Sequence, residues 1–182
     1  MKIALIMLAA GNSWRFGSNK LLYEIEGKPM YWHILEKLLI VAEWLEETCS
    51  KSLECDENRL GELKKEINKQ CKKTIGLSVG SSAKLSYQNN CYKKITVVTQ
   101  YEEIEQAARA LGANVYINPH PDEGISSSLK IGLKANLDAD ACLFTVSDQP
   151  WLTAETIHQL ITLLKISNKG IACVSCSVID FL

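Results

Sequence analysis

The chain has 182 residues, with 20 Lys and Arg against 21 Asp and Glu and a formal net charge of −1. That length fits one domain with room for an insertion, and 47% hydrophobic with 23% charged residues supplies a core and excludes wholesale disorder. A balance so near zero leaves no global basic field and argues against a nucleic-acid partner, whereas a small anion needs only a few local cations and backbone amides.

Taken in chain order, the first apolar run covers residues 3–8. Lys2 followed by residues 3–10 has the outline of a short secretory signal, but the run is brief and a chemistry-bearing loop follows it. A buried strand is the expectation. Residues 30–44 follow a helical pattern opened by Pro29 in the first turn. The longest apolar stretch, residues 34–44, contains Glu36, Lys37 and Glu43 and falls short of the ~18 residues of a membrane span. Residues 45–90 break the rhythm. Leu60, Leu63, Ile67 and Cys71 share a helical stripe, and a Ser- and Gly-rich loop follows around residues 76–82, which predicts an insertion that is helical in its first part.

Beyond it, strands are predicted at residues 95–99, 114–117, 141–146 and 171–174. Two helices alternate with them. Ile104, Ala107, Ala108 and Leu111 share a face that Gly112 ends, and Ile157, Leu160, Ile161 and Leu164 share another that Thr153 caps. Apolar runs without alternation are strands covered on both faces, so the expectation is an α/β fold with a parallel sheet and right-handed crossovers. Seven scattered cysteines, an odd count, read as reduced thiols in a cytoplasmic protein, with Cys173-x-x-Cys176 buried in a strand-like run. His33 and His158 are expected on helices, and His120 in a solvated loop.

Chemistry concentrates where the first strand ends, in Leu8-Ala9-Ala10-Gly11-Asn12-Ser13-Trp14-Arg15-Phe16-Gly17-Ser18-Asn19-Lys20-Leu21-Leu22. Small residues at 9–11 let backbone amides approach an anion, and Arg15 and Lys20 add a fork and a point charge for phosphate oxygens. The segment is neither a P-loop nor a dinucleotide fingerprint, because the spacing of both is missing. A Gly-bearing turn with two solvated cations is the plain alternative.

This segment resembles the opening signature of the MobA-like nucleotidyltransferase superfamily. Two later segments resemble that superfamily in the same order: Gly124-Ile125-Ser126-Ser127-Ser128-Leu129-Lys130-Ile131-Gly132-Leu133 and Ser147-Asp148-Gln149-Pro150-Trp151-Leu152. Ala9-Ala10-Gly11, Asn19-Lys20-Leu21-Leu22 and Asp148-Gln149-Pro150 together look most like the molybdenum cofactor cytidylyltransferases. The resemblance implies a Rossmann-like three-layer fold of the nucleotide-diphospho-sugar transferase type, here one domain over residues 1–182 with the insertion inside it. It implies attack of an acceptor phosphate on the α-phosphorus of CTP, or GTP, with release of pyrophosphate.

By the same resemblance, the backbone of Leu8, Ala9, Ala10 and Gly11 holds the nucleotide and Arg15 and Lys20 meet its phosphates. Asp148 binds Mg²⁺, Ser128 contacts the ribose or base, and Asn118 lines the same pocket; Arg15, Lys20 and Asp148 form the catalytic set. The implied acceptor is molybdopterin or a related phosphorylated molecule, and the implied protein partner a molybdoenzyme or maturation factor. The superfamily continues into Gly-x-Pro and Gly-Asp segments that residues 176–182 do not resemble, so the domain is expected to be C-terminally incomplete. A sugar-phosphate nucleotidylyltransferase, a binding module without turnover and a protein working through its inserted helix stay open as alternatives.

Overall fold

The structure is a computed structural model that describes residues 1–12, 17–47, 95–167, 169–174 and 179–181. Strand β1 (Ile3–Ala9) is buried along its whole length. It lies at the centre of a four-stranded parallel sheet with β4 (Ile95–Thr99), β5 (Asn114–Ile117) and β6 (Ala141–Val146), in the order β5-β4-β1-β6. Leu5 pairs with Ile95 on one side and Leu143 on the other, so all four strands end at one edge of the sheet.

Successive β1 side chains go to opposite faces, which explains a run without polar alternation. Ile3, Leu5, Met7 and Ala9 enter the larger core, under α1 (Met30–Glu47), α2 (Glu102–Ala110) and α4 (Ala154–Ile166). Ala4, Ile6 and Leu8 face the other way, toward Leu129 and Ile131 of α3 (Ile125–Lys134). Helix layer, sheet and helix layer make the three-layer α/β architecture. Among the described residues, no helix is long and apolar enough to cross a membrane.

The helix ends follow their local chemistry. Gly112 takes φ +80°, its N–H donates to the Arg109 carbonyl at 2.9 Å, and the Ala113 N–H reaches the Ala108 carbonyl at 3.1 Å. That pair closes α2 as a Schellman motif. Thr153 Oγ1 accepts from the Thr156 N–H at 3.1 Å and caps α4.

Four expectations are corrected. Pro29 is not in the first turn of α1. It pairs with Glu24 in a hairpin of β2 (Glu24–Ile25) and β3 (Lys28–Pro29), because Glu26 (φ 52°) and Gly27 (φ 75°) form a two-residue turn of the type that joins twisted strands. The run at 171–174 does not join the parallel sheet. Its β7 (Ala172–Val174) pairs antiparallel with β8 (Ile179–Phe181). Cys173 is therefore exposed and not buried, since a two-stranded ribbon cannot cover both its faces. Helix α1 also runs past residue 44 to Glu47, into the expected insertion. The stripe Leu60, Leu63, Ile67 and Cys71, the loop at 76–82, and Cys49, Cys55, Cys91 and Cys176 lie outside the described residues.

Candidate active site

The sheet topology marks one place where a ligand would be expected. From β1 the chain moves through β4 to β5 on one side, then returns to place β6 on the other, so the order reverses between β1 and β6. Open α/β sheets bind ligands at such a reversal, beyond the carboxyl ends of the strands. A cleft of about 830 Å³ lies there, bounded by Leu8, Ala10 and Gly11 after β1 and by Ser147 and Asp148 after β6. Gly124, Ile125 and Ser128 add the N-terminal turn of α3.

The loop after β1 is held from both sides. Ser147 Oγ donates to the Leu8 carbonyl at 2.9 Å and Thr99 Oγ1 to the Ala9 carbonyl at 3.0 Å. Gln100 and Tyr101 take the next two carbonyls. Lys20 opens a 3₁₀ turn (Lys20–Leu22) that Asn19 caps, accepting from the Leu21 N–H at 3.0 Å. The buried Leu21 roots this turn in the larger core, so the ammonium is carried to the cleft on a fixed base.

Lys20 and Asp148 are 128 residues apart in sequence and meet at 3.3 Å, both half-exposed on the cleft wall. Asp148 thus faces Lys20, and the N-terminus of α4 is capped by Thr153 instead. The loop beyond Asp148 is tied to α1, where the Lys37 ammonium donates to the Pro150 carbonyl. Burial pushes the Lys37 pKa down, with neighbouring Glu36 opposing the shift.

Ser128 lines the cleft as expected, but Asn118 does not. Asn118 is 2% exposed and lies beneath the wall, donating from one amide nitrogen to Ser127 Oγ and Ser128 Oγ, both at 2.9 Å. With its amide nitrogen given to these two hydroxyls and its Oδ1 accepting from the His120 N–H, this buried side chain has nothing left for a ligand. Ala9 is likewise buried, supporting the loop rather than facing the cleft. His120 is exposed and outside the lining. Arg15 and Trp14 lie outside the described residues. Thr99, Gln100, Tyr101 and Lys37 were invisible as site residues, since their role depends on which strand lies beside β1.

Gly124 combines φ 82° with ψ −171°, a conformation open essentially to glycine alone, and this bend aims the first turn of α3 at the cleft. A helix N-terminus, a lysine and a loop of small residues suit an anion. Among the described residues no three His, Cys, Asp or Glu side chains cluster to hold a metal by themselves. A single carboxylate beside a phosphate site nevertheless fits Mg²⁺, which is held by one or two carboxylates together with substrate oxygens.

Fold and site together define a doubly wound α/β protein with a cleft at its reversal point whose lining suits an anion. The chain belongs to the MobA-like NTP transferase domain family, which it matches over residues 5–46 and 68–178. It is 50% identical over 38 residues to a probable molybdenum cofactor guanylyltransferase of Pyrococcus horikoshii, covering 21% of this chain and 20% of that protein. It is 53% identical over 34 residues to the protein of the same name in Thermococcus sibiricus, covering 19% and 17%. The matched stretch thus spans about a fifth of these curated relatives. Among solved structures, CMP:2-keto-3-deoxy-manno-octonic acid synthetase complexed with CTP superposes with a TM-score of 0.52 at 16% identity, over 93% of this chain and 50% of that one. That likeness is one of fold.

Proposed function

We propose that the protein is an Mg²⁺-dependent nucleotidyltransferase that moves a nucleotidyl group from a nucleoside triphosphate to a phosphorylated acceptor of the molybdopterin class. The observation that carries this reading is the Lys20–Asp148 pair on the wall of a cleft floored by the 8–12 loop. In the reaction, an acceptor phosphate oxygen attacks the α-phosphorus as the bond to pyrophosphate breaks. Such transfer asks for in-line positioning and charge neutralisation more than for covalent help. The amides of the loop hold the triphosphate, and Lys20 offsets charge growing on the leaving pyrophosphate. Ser128, at the first turn of α3, meets the ribose or base, and Arg15 joins Lys20 on the phosphates. Asp148 would hold Mg²⁺, which supplies further neutralisation of the phosphate charge.

The names of the curated relatives favour GTP. Ala10, Asn19-Lys20-Leu21-Leu22 and Asp148-Gln149-Pro150 favour CTP as a second reading, by their likeness to the cytidylyl branch. A molybdoenzyme or maturation factor is the partner class that would receive the product, and reduced thiols suit a cytoplasmic setting. The test is pyrophosphate release from each of the four ribonucleoside triphosphates with Mg²⁺, with and without molybdopterin. Release with GTP or CTP that depends on the acceptor is expected. Binding without release would make the protein a nucleotide-binding module, and neither binding nor release would remove the reading altogether.

A further inference from the structure

Three consecutive carbonyls of the 8–12 loop are taken by three consecutive side chains at the junction of β4 and α2. The register makes this possible: Ala9 pairs with Thr99, so the residues that follow in each strand run beside one another. Thr99 Oγ1 donates to the Ala9 carbonyl at 3.0 Å and accepts from the Tyr101 N–H at 3.0 Å, which fixes its hydroxyl direction. Gln100 Nε2 reaches the Ala10 carbonyl at 2.9 Å and Asn12 Oδ1 at 2.8 Å. Its two amide hydrogens thus match two acceptors. The Tyr101 hydroxyl donates to the Gly11 carbonyl at 2.8 Å.

We propose that Gln100 and Tyr101 are positioning residues that turn the N–H groups of Gly11 and Asn12 toward the nucleotide phosphates, an inference that rests on the triphosphate reading above. In a trans peptide unit the C=O and the following N–H point in opposite directions. Holding the Ala10 and Gly11 oxygens on the β4–α2 side therefore sends the next two N–H groups the other way, where Ala10, Gly11 and Asn12 line the cleft. Gly11 is also exposed, and no described atom would lie within 4 Å of a Cβ built there. Packing by those residues does not demand glycine, whereas close approach of a phosphate to the backbone does. A loop fixed in advance binds without the ordering cost that a free loop would incur.

Tyr101→Phe removes one donor and keeps the ring, which packs against the larger core. Gln100→Met removes the other donor at similar length. The whole chain and both variants are titrated calorimetrically with GTP, CTP, guanosine, cytidine and inorganic pyrophosphate, alongside thermal melts. Each variant is expected to lose roughly five- to tenfold in affinity for triphosphate and pyrophosphate and under about twofold for nucleoside. Equal losses on all ligands, or full triphosphate affinity in a folded variant, would overturn the clamp while leaving the functional reading intact. Wild-type protein that binds no triphosphate would overturn both. If Gln100→Met does not fold, Tyr101→Phe decides alone.

Discussion

In the proposed reaction the metal depends on one carboxylate, that of Asp148, which lines the cleft beside Lys20. Its bond to Lys20 at 3.3 Å is half-exposed, and exposed pairs of this kind contribute about 0–1 kcal/mol. Asp148→Asn keeps the shape and should leave thermal stability within about 1 kcal/mol of the wild type. The negative charge that a hard cation needs is gone, so the Mg²⁺-dependent part of nucleotide affinity should fall. Metal-free affinity should hold or rise as repulsion from the triphosphate is relieved. Nucleotide titrations with and without Mg²⁺ decide the matter, and an unchanged Mg²⁺ effect in the variant would take Asp148 out of the site. At this scale the sequence was legible where a residue carries its chemistry by itself: Gly11, Lys20, Ser128 and Asp148 all reach the cleft. It misled at Asn118, whose polar side chain is spent on two serine hydroxyls. Gln100 and Tyr101 could not be read, because their targets lie 90 residues away on a neighbouring strand.

Helix α3 carries Gly124, Ile125 and Ser128 to the cleft, and its height above the sheet is set by Gly132. A Cβ there would lie 2.8 Å from Ile6 Cγ2 and 3.3 Å from Phe144 Cε1. In an open helix Gly→Ala would gain about 1 kcal/mol. Here Ile6 is fully buried in the central strand and cannot swing aside, so overpacking of about 1–3 kcal/mol should outweigh that gain. Gly132→Ala should therefore lower stability in chemical denaturation and, by lifting α3, weaken nucleotide binding as well. A variant more stable than the wild type would show that the helix shifts freely. Elements were readable wherever burial on both faces wrote itself into composition, as in β1 and β4, and β6 was readable although it is only half-buried along one face. Pro29 and the 171–174 run failed for a common reason. Proline opens helices and also ends hairpin strands, and a short apolar run does not announce whether its partner is the main sheet or a local ribbon.

The molecule as a whole builds its cleft from two loops that leave neighbouring strands, and each is fastened to an element behind it. The 8–12 loop is bonded to the β4–α2 junction, and the loop after β6 is bonded to α1 through Lys37. Strand order decides both fastenings, and order is not written in any local stretch of sequence, so the parallel sheet could be read but not the neighbours of β1. The Lys37 fastening carries a cost that pH can reveal. Burial holds its folded-state pKa below the ordinary 10.5, while Glu36, Glu155 and Glu26 pull upward and Lys28 adds to the lowering. Between the folded and unfolded values the unfolded chain binds more protons, so stability rises with pH across that window. Well below it both states are charged and the cost is constant. A neutral amine still donates to the Pro150 carbonyl, so the fastening itself survives the titration. Lys37→Met removes the proton-linked cost but leaves the Pro150 carbonyl without this donor, a loss of about 1–3 kcal/mol where a buried acceptor goes unsatisfied. The wild type should therefore be the more stable protein at neutral pH, and its advantage should grow as pH climbs toward 10.5. Urea unfolding of both proteins from pH 7 upward measures that difference directly. A constant or shrinking advantage would mean that the Lys37 ammonium is as well solvated in the fold as in the open chain.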